Sequence, residues 1–439
     1  MTIAFAQPAA NASLPFSAKP RVRAMTGSLV GKWLVIASVM FNPLLCLLDT
    51  KGVLHTSSAV VAVFELLIIF AATWYARKQI HPFAVILSGI IAAYVVAAHL
   101  INPAVSLKIL HDLWVPYVFY ILGTTSTFRT AKSTMWIIMA LVLFFGFFEL
   151  LALNVYGQFF NIWKYYVDKG ALGADVINYQ NTTSFVSGNR GADARTYLPS
   201  ILGPARISSV FLEPVSLGNF ATIVFAWGLS IWNRKSAKSL ILLMALGFLC
   251  IVLSDSRFAT ACCVLLVLVR LTPLCRSSLF VISLPVLIAT ALTVVGSLHE
   301  LPGVKPSIIT DDFKGRLLFS GRLLDDWSLA PWFGFAASPV YVADTGYAYL
   351  FNSLGLPLTL VLFLVIAFRR NASPQAAVMK TMIALYFATS LCIGANGVTI
   401  KTGALLWFLY GALDAASKGN KSRGESTVSG RPAGWLPQR

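Results

Sequence analysis

The chain has 439 residues, of which 57% are hydrophobic and only 12% are charged, and its mean hydropathy is +0.75. A soluble domain carries about 25% charged residues, so this composition excludes an ordinary soluble protein and predicts a helical membrane protein. The formal net charge of +17 would by itself suit nucleic-acid binding. Whether it indicates such binding depends on where the charges lie along the chain.

Apolar runs of about 18–22 residues recur along the chain between two polar tails. Residues 1–28 are rich in Ala, Pro and Ser and are predicted to form a cytoplasmic tail without a cleavable signal peptide. Residues 416–439 are basic and rich in Gly, Ser and Pro, and are predicted to form a disordered cytoplasmic tail. Residues 29–415 are predicted to form an all-α polytopic bundle of about twelve transmembrane helices. The predicted span centres are Ile36, Leu67, Ile90, Val118, Leu143, Val224, Leu246, Leu265, Val286, Leu360, Leu385 and Leu406.

The basic residues indicate the orientation of these spans. The two tails and the short loops on their side carry 21 of the 34 basic residues but only two of the 17 acidic residues. The positive-inside rule therefore places both termini in the cytoplasm. Two long loops, residues 156–206 and 298–345, then lie on the periplasmic or external face. The basicity is a topology signal, and no nucleic-acid partner is expected.

The first long loop ends where charged residues precede an apolar helix. Arg206 is followed by Glu213 and Pro214, and Glu213 is predicted to lie about one to two helical turns below the outer surface. An ionisable group at that depth is costly and is a functional candidate, with a structural ion pair as the alternative. Pro214 is expected to kink the helix. Upstream, Arg190 and Arg195 lie in a segment that suits a flexible, glycan-facing loop, although each alone reads as a solvated charge.

Further polar segments lie on the same face. Ser254–Arg257 is the only turn between spans seven and eight, and forms either a tight hairpin or a partly re-entrant element; its guanidinium could bind phosphate with two parallel hydrogen bonds. In the second long loop, Arg322 is followed by two acids one turn onward, which is also typical of a short amphipathic helix. Trp327 suits sugar stacking or anchoring at the membrane interface. Asp344 begins span ten as an N-cap, a general base or an acceptor for a sugar hydroxyl.

Other polar residues suggest a different class of function. Glu65 in span two and Glu149 near the outer end of span five would suit the proton path of a transporter. The five histidines show no metal-ligand spacing, and no nucleotide-binding or hydrolase motif is present. The six cysteines lie in or beside apolar runs, so buried and inert thiols are expected.

Between Arg206 and Gly355 the polar segments form an ordered set of short motifs. They are Arg206…Ser209-x-Phe211-x-Glu213-Pro214…Gly218, Leu253-Ser-x-Ser256-Arg257, Gly321-Arg322…Trp327…Pro331-x-Phe333-Gly334 and Asp344-x-Gly346-Tyr347…Gly355. In this order and at these places in the topology, the motifs resemble the Wzy-type polysaccharide polymerase and O-antigen ligase superfamily. Within it, the chain looks most like the exopolysaccharide polymerases of the xanthan type.

The chain departs from parts of this superfamily at two points. Ligases of the superfamily usually carry a histidine near the start of the span after the second long loop, where this chain has Asp344-Thr345-Gly346. That difference favours a polymerase over a ligase. The Arg-x15-Gly pattern of some O-antigen polymerases is also absent, so residue roles known for that branch are not carried over to this chain.

The resemblance implies a bacterial inner-membrane glycosyltransferase that joins undecaprenyl-diphosphate-linked oligosaccharide repeat units on the periplasmic face. It implies no metal and no other cofactor, because arginines can stabilise the diphosphate leaving group. The implied partners are the lipid-linked oligosaccharide, membrane lipids, and the flippase and chain-length or export proteins of the same pathway. The implied roles are catalysis for Glu213 and Asp344, diphosphate binding for Arg206, Arg257 and Arg322, and glycan binding for Arg190, Arg195, Trp327 and Tyr347.

Two alternatives remain beside the polymerase. A glycan ligase of the same superfamily would attach finished chains to an acceptor instead of lengthening them. A secondary transporter, or a flippase for lipid-linked glycans, would use Glu65 as its central residue. For a polymerase, we expect the active site where three loop–helix junctions meet, at 206–213, 254–257 and 344–347.

Overall fold

The computed structural model describes residues 20–103, 105–173, 183–184, 188, 194–233, 237–298, 313–334, 345–395 and 397–428. These residues form α-helices joined by short turns, with no β-strand among them, so the predicted all-α fold is confirmed. The helices are α1 (Pro20–Thr50), α2 (Ser58–Ala76), α3 (Pro82–Ile101), α4 (Lys108–Thr124), α5 (Phe128–Leu151), α6 (Leu153–Phe159), α7 (Ile162–Asp168), α8 (Pro199–Leu202), α9 (Pro214–Ser230), α10 (Ala237–Ser254), α11 (Arg257–Leu271), α12 (Ser278–Leu298), α13 (Phe313–Asp325), α14 (Leu329–Trp332), α15 (Gly346–Phe368), α16 (Pro374–Ser390) and α17 (Ile400–Val428).

Seven helices in the described part of the chain are long and apolar enough to cross a membrane: α1, α2, α3, α5, α10, α12 and α15. The protein is therefore an all-α, multi-pass membrane protein. Each of the twelve predicted span centres lies inside a helix. However, α4, α9, α11 and α16 have only 15 to 17 residues, and α17 carries a polar C-terminal half. The count of twelve spans stays a prediction.

The helices at both ends of the chain are longer than the apolar runs alone predict. Helix α1 begins at Pro20, inside the segment predicted to be the N-terminal tail. Helix α17 continues to Val428, into the segment predicted to be the disordered C-terminal tail. Helical main chain therefore extends into both polar flanks of the bundle.

The helix ends form two groups, one at each end of the bundle. Helix ends of the same group contact one another. At one end, Asn161 donates its backbone N–H to the Thr50 hydroxyl at the end of α1, over 2.9 Å. At the opposite end, Arg270 donates to the Leu229 carbonyl near the end of α9, over 3.0 Å. We call the first group the loop end of the bundle; there α1, α5 and α10 end and α9, α11 and α15 begin. That the loop end is periplasmic stays a prediction.

The two long loops contain helices that pack onto the bundle. In the first loop, α6 and α7 bury Tyr156, Tyr165 and Tyr166 in the main hydrophobic core, which also includes side chains of α1, α4, α5, α9 and α17. In the second loop, α13 and α14 contribute to a separate core with α3 and α15. Burial of apolar surface therefore holds the loop helices α6, α7, α13 and α14 against the bundle.

Candidate functional site

Residues 254–257 form a tight turn between α10 and α11, which agrees with the hairpin alternative. Asp255 is buried and has a φ of +46°, in the left-handed region. Its carboxylate accepts the backbone N–H groups of Thr196 and Tyr197 over 2.9 and 3.1 Å. Ser256 is the N-cap of α11 and accepts the N–H of Ala259. The turn is thus joined to the end of the first long loop.

Arg195 fixes that loop to the C-terminal end of α10. Its buried guanidinium donates to the carbonyl oxygens of Tyr197, Ala205, Val252 and Leu253. The last carbonyl groups of a helix have no partner inside the helix, and a cation favours that end of the helix dipole. Arg195 therefore donates hydrogen bonds to carbonyl groups at the end of α10 and orders the loop. Its predicted role in glycan binding stays a prediction beside this structural one.

Arg206 and Arg257 differ sharply in exposure. Arg206 is buried and donates from Nε to the Ser254 carbonyl over 3.0 Å. Arg257 is exposed and donates to the Thr196 hydroxyl over 2.6 Å and to the Ala194 carbonyl over 2.9 Å. A cation in the first turn of a helix is unfavourable to the helix dipole. The position of Arg257 therefore does not follow from the stability of α11, which strengthens it as a functional candidate.

Glu149, weighed above as part of a proton path, holds the loop that enters α9. Its buried carboxylate accepts the backbone N–H groups of Ser208 and Ser209 over 2.9 and 2.7 Å. Ser209 and Leu212 both have positive φ values, 53° and 59°. These contacts fix an unusual loop path that places Glu213 beside α7 and α17.

Glu213 is the N-cap residue of α9, just outside the helix. Pro214 occupies the first turn, where proline fits without strain, so it begins the helix and does not kink it. The Glu213 carboxylate accepts hydrogen bonds from Tyr166, from Ser216 over 2.7 Å and from Lys401 over 3.1 Å. The structural ion pair considered from the sequence thus exists, and its cation is Lys401 of α17.

Two lysines beside Glu213 were not identified from the sequence. Lys401 lies at the start of α17, and Lys169 follows α7 with its ammonium 5.5 Å from the Tyr166 ring. Partial burial and the positive charge of Lys401 lower the pKa of Lys169 to about 8. The sequence shows Lys401 only as a lysine at the outer end of an apolar run. Its partner Glu213 is 188 residues away in the chain.

The third junction lies in the second core. Tyr347 is buried; it donates its hydroxyl to the Ala388 carbonyl over 3.0 Å, and its N–H bonds to Leu391. Trp327 is buried edge-to-face against Trp332 at 5.8 Å. Both side chains are held inside the protein, and glycan contact by either one stays a prediction.

Arg322 is half-buried on α13, so the helical interpretation of this segment is confirmed. The N-cap of α15 is Thr345. Arg190 and Asp344 lie outside the described residues.

The three predicted junctions meet to different degrees. The first two are in direct contact, because Ile207 donates its N–H to the Leu253 carbonyl over 3.1 Å. The third is joined to them through Phe258, the second residue of α11, which packs against the second core. An apolar groove between α11, α12, α13 and α16 is lined by Phe258, Leu317 and Cys392 among others. Phe258 follows Arg257 in the chain.

A chain of polar side chains connects α2, α4 and α15 near the loop end. Glu65 Oε2 lies 3.5 Å from His111 Nε2, and His111 Nδ1 lies 2.9 Å from Asp112 Oδ1. Tyr349, in the first turn of α15, donates its hydroxyl to Asp112 Oδ2 over 2.9 Å. Lys108 lies 4.0 Å from the same carboxylate. The sequence singled out Glu65 alone, because the other members become neighbours only when these helices pack.

One group in the described part of the chain has the geometry to share a metal ion: Asp49, His55 and Asp168. The ammonium of Lys164 lies 2.9 Å from the Asp49 carboxylate and 2.8 Å from that of Asp168. This internal cation forms an ion pair with both acids, so the arrangement is explained as an ion-pair network. The expected lack of a metal stays a prediction. All six cysteines are buried and free, as predicted.

Comparisons with protein-family models, with curated proteins and with solved structures gave no match to this chain. The likeness to the Wzy-type superfamily therefore rests on the motifs quoted above.

Proposed function

We propose that the chain is an inner-membrane exopolysaccharide polymerase, a glycosyltransferase that joins undecaprenyl-diphosphate-linked repeat units on the periplasmic face. The observation that supports this most is the meeting of junctions 206–213 and 254–257 at one end of a multi-pass bundle. An exposed arginine and two lysines lie at that end. A diphosphate leaving group needs positive charge more than it needs a proton donor.

The charged groups suit a substrate with an anionic head and an apolar tail. Arg257 offers an exposed guanidinium, which binds phosphate oxygens with two parallel hydrogen bonds. The apolar groove lined in part by Phe258, the residue after Arg257, would accept part of an isoprenoid chain. We assign diphosphate binding to Arg257 first and to Arg322 second. Arg206 acts mainly by fixing the turn, since it is buried against Ser254.

A proton-coupled transporter is the second candidate, and one observation favours it. Glu65, His111 and Asp112 form a line of ionisable groups within the bundle, which is a costly arrangement typical of proton paths. A flippase for lipid-linked glycans would use such a path to move its substrate. It would leave the repeat units unjoined.

Deletion of the gene in its own host separates the candidates. A polymerase mutant accumulates single repeat units on the lipid carrier at the periplasmic face, and wild-type chain restores polymer. A ligase mutant would instead hold long polymer on the carrier, and a flippase mutant would hold repeat units on the cytoplasmic face. Either of these two outcomes would contradict the proposal.

In the deletion strain, the Arg322→Ala variant should fail to restore polymer although the protein is present at the normal level.

A further inference from the structure

Two lysine ammonium groups lie around one tyrosine at the loop end of the bundle. Lys401 Nζ is 5.8 Å and Lys169 Nζ is 5.5 Å from the centre of the Tyr166 ring. Tyr166 is buried, and both lysines are only partly exposed. Like charges repel each other, and partial burial strengthens the repulsion because less water screens it. Such a pair of cations is costly unless negative charge balances it.

The two ammonium groups differ in their hydrogen bonds. Lys401 donates to the Glu213 carboxylate over 3.1 Å and to the Tyr166 hydroxyl over 3.3 Å. An ammonium group has three donors, so one donor of Lys401 has no acceptor among the described residues. In the same part of the chain, the Lys169 ammonium donates to no acceptor and lies 6.0 Å from the Tyr165 ring. Lys169 is therefore a cation without a hydrogen-bonded anion there.

The acids near Lys169 have other partners. The charged groups that act on its ammonium are Lys401, Lys108, Glu213 and Glu65. All four have partners of their own, and the pairs are Lys401–Glu213 at 3.1 Å, Lys108–Asp112 at 4.0 Å and Glu65–His111 at 3.5 Å. Burial and the positive charge of Lys401 lower the pKa of Lys169 to about 8, so the two glutamates do not compensate for its surroundings. An anion from outside the protein would balance Lys169.

We call Lys169, Lys401 and Tyr166 the lysine site, and this site is open to solvent. The side chains of Glu213 and Lys401 are 27% and 13% exposed. Lys169 Nζ is not one of the fully buried polar atoms that lack a partner in the described part of the chain, so solvent reaches it. Gly170, the next residue, is exposed. An anion can therefore approach the Lys169 ammonium.

Helix α9 contacts the lysine site and also the turn that carries Arg257. Glu213, the partner of Lys401, is the N-cap residue of α9. A Cβ at Gly218 of the same helix would overlap the Ser256 side chain, and Arg257 follows Ser256. The lysine site and Arg257 therefore lie at the same end of the bundle, on different helices.

A polymerase holds two lipid-linked molecules at once, and each of them carries a diphosphate. The donor loses its diphosphate in the transfer, whereas the acceptor keeps its own. We propose that Lys169 and Lys401 form a second anion-binding site, beside Arg257, for an anionic group of a lipid-linked substrate; this inference rests on the proposed polymerase function. The bound group offers phosphate oxygens of the carrier or carboxylate oxygens of a sugar acid, and an ammonium group binds both.

The test measures the binding of two probes to the purified full-length protein in detergent at pH 7. One probe is a neutral oligosaccharide on undecaprenyl diphosphate, and the other is the same molecule with one uronic acid. Lys169→Gln should raise Kd about tenfold or more, because a hydrogen bond from a charged group contributes about that factor. Lys169→Arg keeps the charge and should bind like wild type. The matched control is Lys51→Gln, which should keep the wild-type Kd, because Lys51 is an exposed lysine at the same end, 4.2 Å from the Phe159 ring.

The two probes distinguish the sources of the anion. A loss of binding with both probes identifies the carrier diphosphate, and a loss with the acidic probe alone identifies the sugar carboxylate; both results support the site. An unchanged Kd for both probes in folded Lys169→Gln overturns the site, as does an equal loss in Lys51→Gln. Should Lys169→Gln fail to fold, wild type decides: its Kd should rise above pH 8 as Lys169 loses its proton, and a constant Kd up to about pH 10 overturns the site.

Binding and chain extension are separate measurements on the same protein. Wild type that binds the probes through Lys169 but makes no extended product contradicts the polymerase function and leaves the anion site standing. Wild type that extends chains while Lys169→Gln keeps the wild-type Kd contradicts the anion site alone.

Discussion

The arginines of the loop end divide into two kinds by burial. Arg195 is buried and gives its donors to four main-chain carbonyl groups, whereas Arg257 is exposed and keeps part of its guanidinium accessible to solvent. Charge and loop position look the same for both in the sequence. The difference arises because Arg195, unlike Arg257, donates to carbonyl groups at the end of α10, which the fold brings to it.

This division predicts opposite effects for two alanine variants. Arg195→Ala removes a buried guanidinium that donates to four main-chain carbonyl groups, and a hydrogen bond from a charged donor contributes about 1.5–3 kcal/mol, so the protein should be destabilised by at least about 2 kcal/mol. Arg257→Ala should change stability by less than about 1 kcal/mol and abolish polymer formation. Thermal unfolding of the purified variants measures the first effect and polymer yield the second. Equal destabilisation by both would contradict the division.

Lys169 predicts a pH dependence. Burial and the charge of Lys401 lower its pKa to about 8, so its ammonium is present below pH 8 and is lost as the pH rises through that value. If this charge helps to hold an anionic substrate, KM should rise above pH 8. Lys169→Arg, which stays charged, should keep KM low up to about pH 10. Identical KM profiles for wild type and Lys169→Arg would show that Lys169 does not contact the substrate.

The sequence identified the residues whose signal is local. Arg206, Glu213 and Arg257 were singled out because they are charged residues at loop–helix junctions, and the first two junctions do meet. Lys401 and His111 were missed. Their chemistry depends on partners from helices distant in the chain, and no spacing along a single helix reports such a contact.

At the scale of the elements, α12 and α13 meet at a pair of glycines. A Cβ at Gly296 would overlap the main chain at Gly321, and a Cβ at Gly321 would overlap the Leu292 carbonyl. Helices approach this closely only where side chains are absent. This contact holds α13, and with it Arg322, against the bundle.

Gly321→Ala should therefore destabilise the protein by about 1–3 kcal/mol through overpacking, although alanine favours a helix by about 1 kcal/mol. The variant should also lose polymer, because Arg322 moves with α13. Gly89→Ala on α3 is the control, since a Cβ there meets open space, and it should leave stability unchanged or slightly raised. Thermal unfolding of the two purified variants is the measurement. Equal unfolding temperatures would mean that the glycine contact is not tight.

The elements themselves were largely predictable because apolar runs of membrane length leave few alternatives to a helix. The boundaries of the helices were less predictable. Pro214 begins α9, where a kink was expected, because its missing N–H costs nothing in the first turn. The first long loop, predicted from its polarity, begins with α6 and α7. Their tyrosines pack into the core because Tyr165 bonds Asn42 and Tyr166 bonds Glu213.

In the whole molecule, the contacts of the helix ends place the functional candidates at one end of the bundle and the short basic loops at the other. The long loops, the three junctions and the His111 chain share the loop end, and the basic residues Arg270 and Arg369 contact the other end, near Leu229 and Asp414. That segregation follows the charge distribution in the sequence. An end of the bundle that holds cations and an apolar groove suits chemistry on a membrane-held substrate.

The most direct measurement is incubation of the purified protein with defined undecaprenyl-diphosphate-linked repeat units, without added metal or nucleotide. We expect a ladder of products that grow by one repeat unit at a time. Arg257→Ala should abolish the ladder, whereas Arg276→Ala, at the opposite end of the bundle, should leave it intact. Repeat units that cross a vesicle membrane without being joined, or that remain unchanged, would contradict the proposed polymerase function.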